Sequence, residues 1–167
     1  GSEMCIRDRN LHLFGNNWIS YELSGTENTS GKGVAVTGVE LTPENSGSIY
    51  NTLSLDVDQC NIVVLHGQES EYSARDKAEI IHLTALKNKG IDYLALGHIH
   101  SYKKERLDAR GVYCYPGCLE GRGFDECGEH GFVMLDIDEL TGTIDSTFIP
   151  FASRKLYTIP VDITGCE

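Results

Sequence analysis

The sequence predicts an α/β fold in which a parallel strand, helix and strand precede mainly antiparallel strands. Residues 61–65 and 91–96 are short runs that are apolar apart from Asn61 and Asp92, which is typical of strands covered on both faces. Between them, the apolar residues of segment 73–88 recur at the spacing of one helix face. A strand, a helix and a second strand in this order indicate a right-handed crossover between parallel neighbours.

Two further strands are predicted before this unit. Residues 10–23 alternate loosely between apolar and polar side chains, and the polar stretch 24–32 is typical of an exposed loop. Residues 33–41 form the second candidate strand, which ends at the turn-forming residues 43–47.

The predicted helix spans residues 73–88. Its apolar face is formed by Ala78, Ile81, Ala85 and Leu86. Ser73 or Asp76 can cap its first turn, and Gly90 can end it. His82 lies on the apolar side of this helix, so we interpret it as a packing or hydrogen-bonded residue.

Four shorter strands are predicted after the parallel unit, joined by turns that contain glycine. They cover residues 103–106, 112–115, 132–137 and 144–151. Because such short connections favour antiparallel pairing, the later part of the chain is expected to be mainly antiparallel.

The composition indicates a globular, cytoplasmic protein without a membrane span or signal peptide. Apolar residues make up 40% and charged residues 23% of the chain, and its apolar runs are too short to cross a bilayer. The net charge of −11 argues against an autonomous nucleic-acid-binding module, so contact with nucleic acid would depend on metals or partner chains.

The six cysteines predict reduced thiols rather than a disulfide scaffold, because small secreted scaffolds have a higher density of cysteine. Cys114, Cys118 and Cys127 lack the paired C-x-x-C spacing of a zinc site. We therefore interpret these three as packing thiols.

Three histidines follow the two predicted parallel strands. His66 follows the first strand, and the element Gly97-His98-Ile99-His100 follows the second. The carboxyl ends of parallel strands meet at one edge of a sheet, and His98 and His100, two residues apart, can point into one pocket there. A single histidine after a strand is more often a surface residue, but three together favour a site for Mn, Fe or Zn.

Three segments carry a resemblance to a known family: LHG at residues 65–67, DYLALGHIHSYK at 92–103 and YPGCLEGRGFDECGEHGF at 115–132. They resemble the calcineurin-like metallophosphoesterases, and within them the DNA-repair exonuclease branch that includes the SbcD-type nucleases. The resemblance covers about residues 55–132 and continues weakly through 148–163. It implies a hydrolase whose β-sandwich is flanked by helices, with this chain as its C-terminal half.

The resemblance also implies the roles of individual residues. His66 and His98 would ligate one metal and His100 the other, with His98 also assigned a catalytic role. The two divalent ions, manganese in this family, would be bridged by an Asp and by the water or hydroxide that attacks phosphorus. Arg122, among the glycines of its segment, would bind substrate phosphate, although a structural role for this loop is an equal alternative.

The family's upstream motifs, Asp-x-His, Gly-Asp and Gly-Asn-His, do not occur in residues 1–55. The chain is therefore expected to carry an incomplete two-metal site without the bridging Asp. Residues 1–9 are interpreted as a tag or non-native leader, 10–151 as a partial phosphoesterase domain and 152–167 as the start of a linker or cap region.

The expected substrate of the full protein is DNA, with an ATPase subunit as a partner and self-association through an exposed sheet edge. Two alternatives remain open at this point. One is a noncatalytic fragment or binding module that retains metal ligands, and the other is a phosphoesterase that acts on nucleotides or phosphoproteins.

Overall fold

The computed structural model describes residues 11–23, 31–69, 80–162 and 164. The ten strands in this part of the chain are β1 (Ile19–Leu23), β2 (Val34–Gly38), β3 (Cys60–His66), β4 (Gln68–Glu69), β5 (Ile80–Ile81), β6 (Tyr93–Gly97), β7 (Lys103–Arg106), β8 (Val112–Tyr115), β9 (Gly131–Ile137) and β10 (Ile144–Pro150). A short helix, α1, spans Leu83–Leu86, and a 3₁₀ turn spans Ile49–Thr52.

Six strands form the main sheet in the order β1-β2-β3-β6-β8-β7. The pairs β2-β3, β3-β6 and β6-β8 are parallel, whereas β1-β2 and β7-β8 are antiparallel. Strands β9 and β10 form a separate antiparallel hairpin, which we call the outer hairpin. The α/β class and the parallel pairing of the two apolar strands are thus confirmed, and the strands after them pair in both directions.

Apolar side chains on the two faces of the main sheet form two cores. In β3, Val63 and Leu65 point to the first core, whereas Cys60 and Ile62 point to the second. The first core also contains Leu94, Leu96, Tyr113 and Tyr115 from the sheet and Ile49, Tyr50 and Leu86 from the helical turns. The second is covered by Val133, Leu135, Ile137 and Ile144 of the outer hairpin. The two central strands are therefore buried on both faces, which explains their continuous apolar runs.

The prediction of a helix over residues 73–88 is wrong in its middle part. Ile80–Ile81 is extended and pairs in parallel with Gln68–Glu69, and the helix that follows covers only Leu83–Leu86. Ile81 is fully buried in the first core, and burial of this β-branched residue in a strand outweighs the helical spacing. Residues 73–79, including the proposed cap residues, lie outside the described part of the chain.

The end of the helix also differs from the prediction. The backbone is already extended at Lys87, and Asn88 has a positive φ of 60°, so the helix ends before Gly90. His82 precedes the helix, and its ring contacts that of Tyr50 edge-on with centroids 5.7 Å apart. The interpretation of His82 as a packing residue agrees with this contact.

The other predicted strands lie close to their observed positions. Residues 103–106 and 112–115 coincide with β7 and β8, and the outer hairpin is within one residue of its predicted bounds. In the described part of segment 10–23, only Ile19–Leu23 is a strand. The four described cysteines, Cys60, Cys114, Cys118 and Cys127, are free thiols. No helix in the described residues has the length and apolar character needed to cross a membrane.

A polar clamp fixes the central strands at their N-terminal end. Arg110 donates two hydrogen bonds of 2.8 Å to the carboxylate of Asp92, and two more to the carbonyls of Val57 and Gln59. Asp92 in turn accepts a bond from the backbone N–H of Asn61, the second residue of β3. These bonds raise the pKa of the Arg110 guanidinium. The clamp therefore holds β3 and β6 in register at the end opposite to the histidines.

Candidate metal centre

Two histidines meet at the C-terminal ends of β3 and β6. His66 is the last residue of β3 and lies opposite Gly97 in the parallel register, and His98 follows directly after β6. Their rings stand nearly perpendicular, at 85°, with centroids 5.4 Å apart. A tetrahedral ion bonded to one nitrogen of each ring at about 2.1 Å would place the two centroids about 5 Å apart. The spacing therefore fits two imidazoles that share one cation.

Gly97 makes this approach possible. A Cβ atom at this position would lie 2.7 Å from Nδ1 of His66, which is shorter than any normal contact. The carbonyl of the same residue accepts a hydrogen bond of 3.1 Å from the N–H of Gly67. The carbonyl of Gly67 accepts a 3.0 Å bond from the hydroxyl of Tyr115, which is fully buried. The turn that carries His66 is thus anchored to the sheet on two sides.

His98 has a strained backbone. Its φ is 105°, in the region that side chains with a Cβ rarely adopt. Such a conformation costs on the order of 1–3 kcal/mol and persists only where the surrounding structure holds it. Because this strain turns the imidazole toward His66, it is consistent with a functional constraint at this position.

Glycine at position 98 is expected to make the protein more stable than alanine at the same position. Both substitutions remove the imidazole, but only His98→Ala keeps a Cβ at the positive φ. After allowance for the larger backbone entropy that glycine loses on folding, we expect a difference of about 1–2 kcal/mol in the free energy of unfolding, measured with urea. The same pair at His82, where φ is −87°, is the control, and there the glycine variant should be the less stable one. Equal stability of His98→Gly and His98→Ala would contradict the strain.

His100 is oriented by Glu126. The Nδ1 atom of His100 lies 2.5 Å from Oε1 of Glu126, and the second carboxylate oxygen accepts backbone N–H bonds from Arg122 and Gly123. The pKa of Glu126 is lowered to about 2. The largest cause is the hydrogen bond from the backbone N–H of Arg122, and the next is the bond from His100. The carboxylate is therefore ionised at neutral pH, and the imidazole must donate its Nδ1–H to it. The lone pair of His100 is then on Nε2, as in metal sites where a carboxylate orients a ligating histidine.

Glu126 was not predicted from the sequence to be a functional residue. Ligand atoms of His100, Glu126 and Cys118 all lie within 4.8 Å of one another. Cys118, interpreted as a packing thiol, instead makes a hydrogen bond with His130 at 3.3 Å. By contrast, Cys114 is fully buried in the second core, as expected of a packing thiol.

The three predicted metal ligands therefore belong to two groups of side chains. His66 and His98 are in ring contact, whereas His100 groups with Cys118 and Glu126. Among the described residues, the three histidines do not form one group with ligand atoms within that distance. The prediction of two metals assigns His100 to a different ion from the other two. The assignment itself stays a prediction.

Arg122 lies beside His100. Its Nη2 atom is 3.1 Å from Nε2 and 3.4 Å from Nδ1 of the imidazole. Arg122 also lines an open pocket of about 130 Å³. Its lining consists of Gly121, Arg122, Gly123, Phe124, Glu126, His130, Arg154 and Leu156. A phosphate group in this pocket would be within reach of two guanidinium groups, so the predicted substrate-binding role of Arg122 is sterically possible.

No protein-family model matches the chain, and no similar sequence was found among curated proteins.

Proposed function

We propose that this chain contributes to metal-dependent phosphodiester hydrolysis of the DNA-repair exonuclease type, as a calcineurin-like metallophosphoesterase. The observation that carries the proposal is the arrangement of His66, His98 and His100 at the ends of neighbouring parallel strands. The Gly-His-x-His element supplies two of these histidines, and Glu126 from the loop of residues 115–132 lies 2.5 Å from His100.

In the proposed centre, His66 and His98 hold one divalent ion and His100 holds a second. Paired ions, manganese in this family, would lower the pKa of the attacking water and stabilise charge on the phosphoryl oxygens. The residues of this chain orient the reaction. The Glu126 carboxylate fixes the tautomer of His100, and the guanidinium of Arg122, which lies 3.1 Å from Nε2 of His100, would turn from this nitrogen to a phosphoryl oxygen when the ion is bound.

The proposed substrate is DNA, with an ATPase subunit as a partner and a cytoplasmic location. The bridging carboxylate that such a centre needs would come from a partner chain or from another part of a longer protein. Self-association is proposed through β1, an edge strand of the main sheet with mostly exposed side chains.

The proposal is tested by manganese-dependent hydrolysis of a generic phosphodiester by the purified chain. Where a second copy of the chain supplies the missing carboxylate, we expect a rate that depends on manganese, that is lost in His98→Ala and that is retained in His82→Ala. His82 is a matched control because it is an exposed histidine that contacts Tyr50 instead of the site. Manganese binding by the same variants, measured by water-proton relaxation, separates loss of the metal from loss of chemistry.

Two results would contradict the proposal. The first is an equal rate in the wild-type chain and His98→Ala, since the predicted ligand would then have no part in the reaction. The second is manganese binding that is unchanged when His66, His98 and His100 are all replaced by alanine. No hydrolysis, with manganese still bound through these histidines, would favour the noncatalytic alternative.

A further inference from the structure

We propose that His100, Cys118 and Glu126 form a binding site for a thiophilic divalent cation such as zinc. The three ligand atoms lie within 4.8 Å of one another and include one nitrogen, one sulfur and one carboxylate oxygen. The site shares His100 with the proposed hydrolytic centre, but it needs neither hydrolysis nor the pair His66 and His98. Each proposal can therefore fail without the other.

The backbone holds Cys118 next to His100. The N–H of Cys118 donates a 3.1 Å hydrogen bond to the carbonyl of His100, and the carbonyl of Cys118 accepts a 3.2 Å bond from Gly131 at the start of β9. Gly117 has a positive φ of 82°, and a Cβ there would lie 2.7 Å from the His100 carbonyl. Two loops that are distant in the sequence thus meet at a position where only glycine permits the contact.

His130 orients the thiol of Cys118. This histidine is 5% exposed, and its Nε2 atom lies 3.1 Å from the backbone carbonyl of Glu126. A carbonyl only accepts, so the neutral ring carries its hydrogen on Nε2, and Nδ1 is left as an acceptor for the S–H of Cys118 at 3.3 Å. With the hydrogen directed to His130, the lone pairs of the sulfur are available to an ion beside His100. The same histidine fixes the backbone of Glu126, so it supports two of the three donors.

The donor set indicates which ions would bind. A thiolate selects zinc and other thiophilic ions, whereas manganese prefers carboxylate and water. With the thiol ionised, Cys118 and Glu126 supply two negative charges, which balance one divalent cation. Three protein ligands leave a fourth position for water, and the side chain of His100 is 44% exposed at this point.

Modest side-chain movement is required on binding. Bonds of about 2.1 Å to nitrogen and 2.3 Å to sulfur would place the donors about 3.5 Å apart around a tetrahedral ion. The His100 and Glu126 side chains, now 2.5 Å apart, would separate, and the thiol would move closer. The hydrogen of the His100 ring would move from Nδ1 to Nε2, so that Nδ1 could exchange its hydrogen bond to Glu126 for a bond to the metal, and the thiol proton would pass to solvent.

Cobalt(II) is the probe for this site, because a thiolate ligand gives cobalt a charge-transfer absorption that nitrogen and oxygen ligands do not give. We expect the reduced chain to develop this absorption on titration with cobalt chloride and to lose it when zinc is added. Cys118→Ser should abolish the band, and Glu126→Gln should weaken cobalt binding by at least the roughly 10- to 100-fold that loss of an outer-shell partner costs.

Cys127→Ser is the matched control, since Cys127 is on the same loop but its thiol faces the carbonyl of Phe124 and the hydroxyl of Thr158. The band should persist in this variant and also in His66→Ala, which affects only the proposed hydrolytic centre. Circular dichroism of Cys118→Ser, a nearly isosteric change, checks that the fold is retained. A wild-type chain without the band, or a band that survives in Cys118→Ser, would overturn the proposal.

Discussion

Replacement of Leu94 by alanine is expected to lower the free energy of unfolding by about 3–5 kcal/mol. Leu94 is fully buried in β6, the central parallel strand, and its side chain belongs to the first core. The loss combines the transfer free energy of the removed methyl groups with the cavity that remains between β3, β8 and the helical turns. This is a large part of the total stability of a domain, so the variant should unfold at a much lower urea concentration.

Leu140→Ala is the control for this prediction. Leu140 lies in the turn of the outer hairpin and is 71% exposed, so its loss should change the free energy of unfolding by less than about 0.5 kcal/mol. Equal effects of the two substitutions would contradict the placement of the core.

Gly117→Ala is expected to destabilise the protein by about 2–5 kcal/mol. A residue with a Cβ at a positive φ costs about 1–2 kcal/mol, and overpacking adds about 1–3 kcal/mol. The added methyl group would lie 2.7 Å from the carbonyl of His100, which is backbone and cannot turn aside. The substitution should therefore move the loop that carries His100, which NMR would detect as shifts of the His100 and Cys118 amide signals.

Gly128→Ala separates the two contributions. Gly128 also has a positive φ, of 106°, but a Cβ there would have no atom within 4 Å. Only the conformational cost of about 1–2 kcal/mol should remain, and the His100 signal should not move. If both alanine variants lose equal stability in urea, the contact between Gly117 and His100 is not the constraint that we describe.

Much of the sheet could be predicted because the pattern of apolar residues in each strand reflects which of its faces are buried. Residues 62–65 and 93–96 are apolar on successive positions, as is typical of a strand that is buried on both faces. The helix over residues 73–88 could not be predicted correctly by the same approach. Its spacing is compatible with a helix, but the burial of Ile81 and its pairing beside Gln68–Glu69 depend on the rest of the fold.

The candidate site was predictable only in part. His66 and His98 could be placed together because parallel strands bring their carboxyl ends to one edge. The contact of His100 with Glu126, 26 residues later, could not be, since it depends on how the loop of residues 115–132 returns to the sheet. Cys118 has no paired cysteine to indicate a metal site, and its partners become evident only in three dimensions.

The histidines His66 and His100 lie outside both cores, so their loss would not be detected by measurements of stability. His66 and His100 have exposed side chains at one end of the sheet, whereas the polar clamp of Asp92 and Arg110 holds the other end. Substitutions of these two histidines would therefore leave expression, solubility and the melting temperature almost unchanged. A mutant library ranked by those properties would retain variants that lack these histidines, so a screen for the proposed metal centre has to measure metal binding directly.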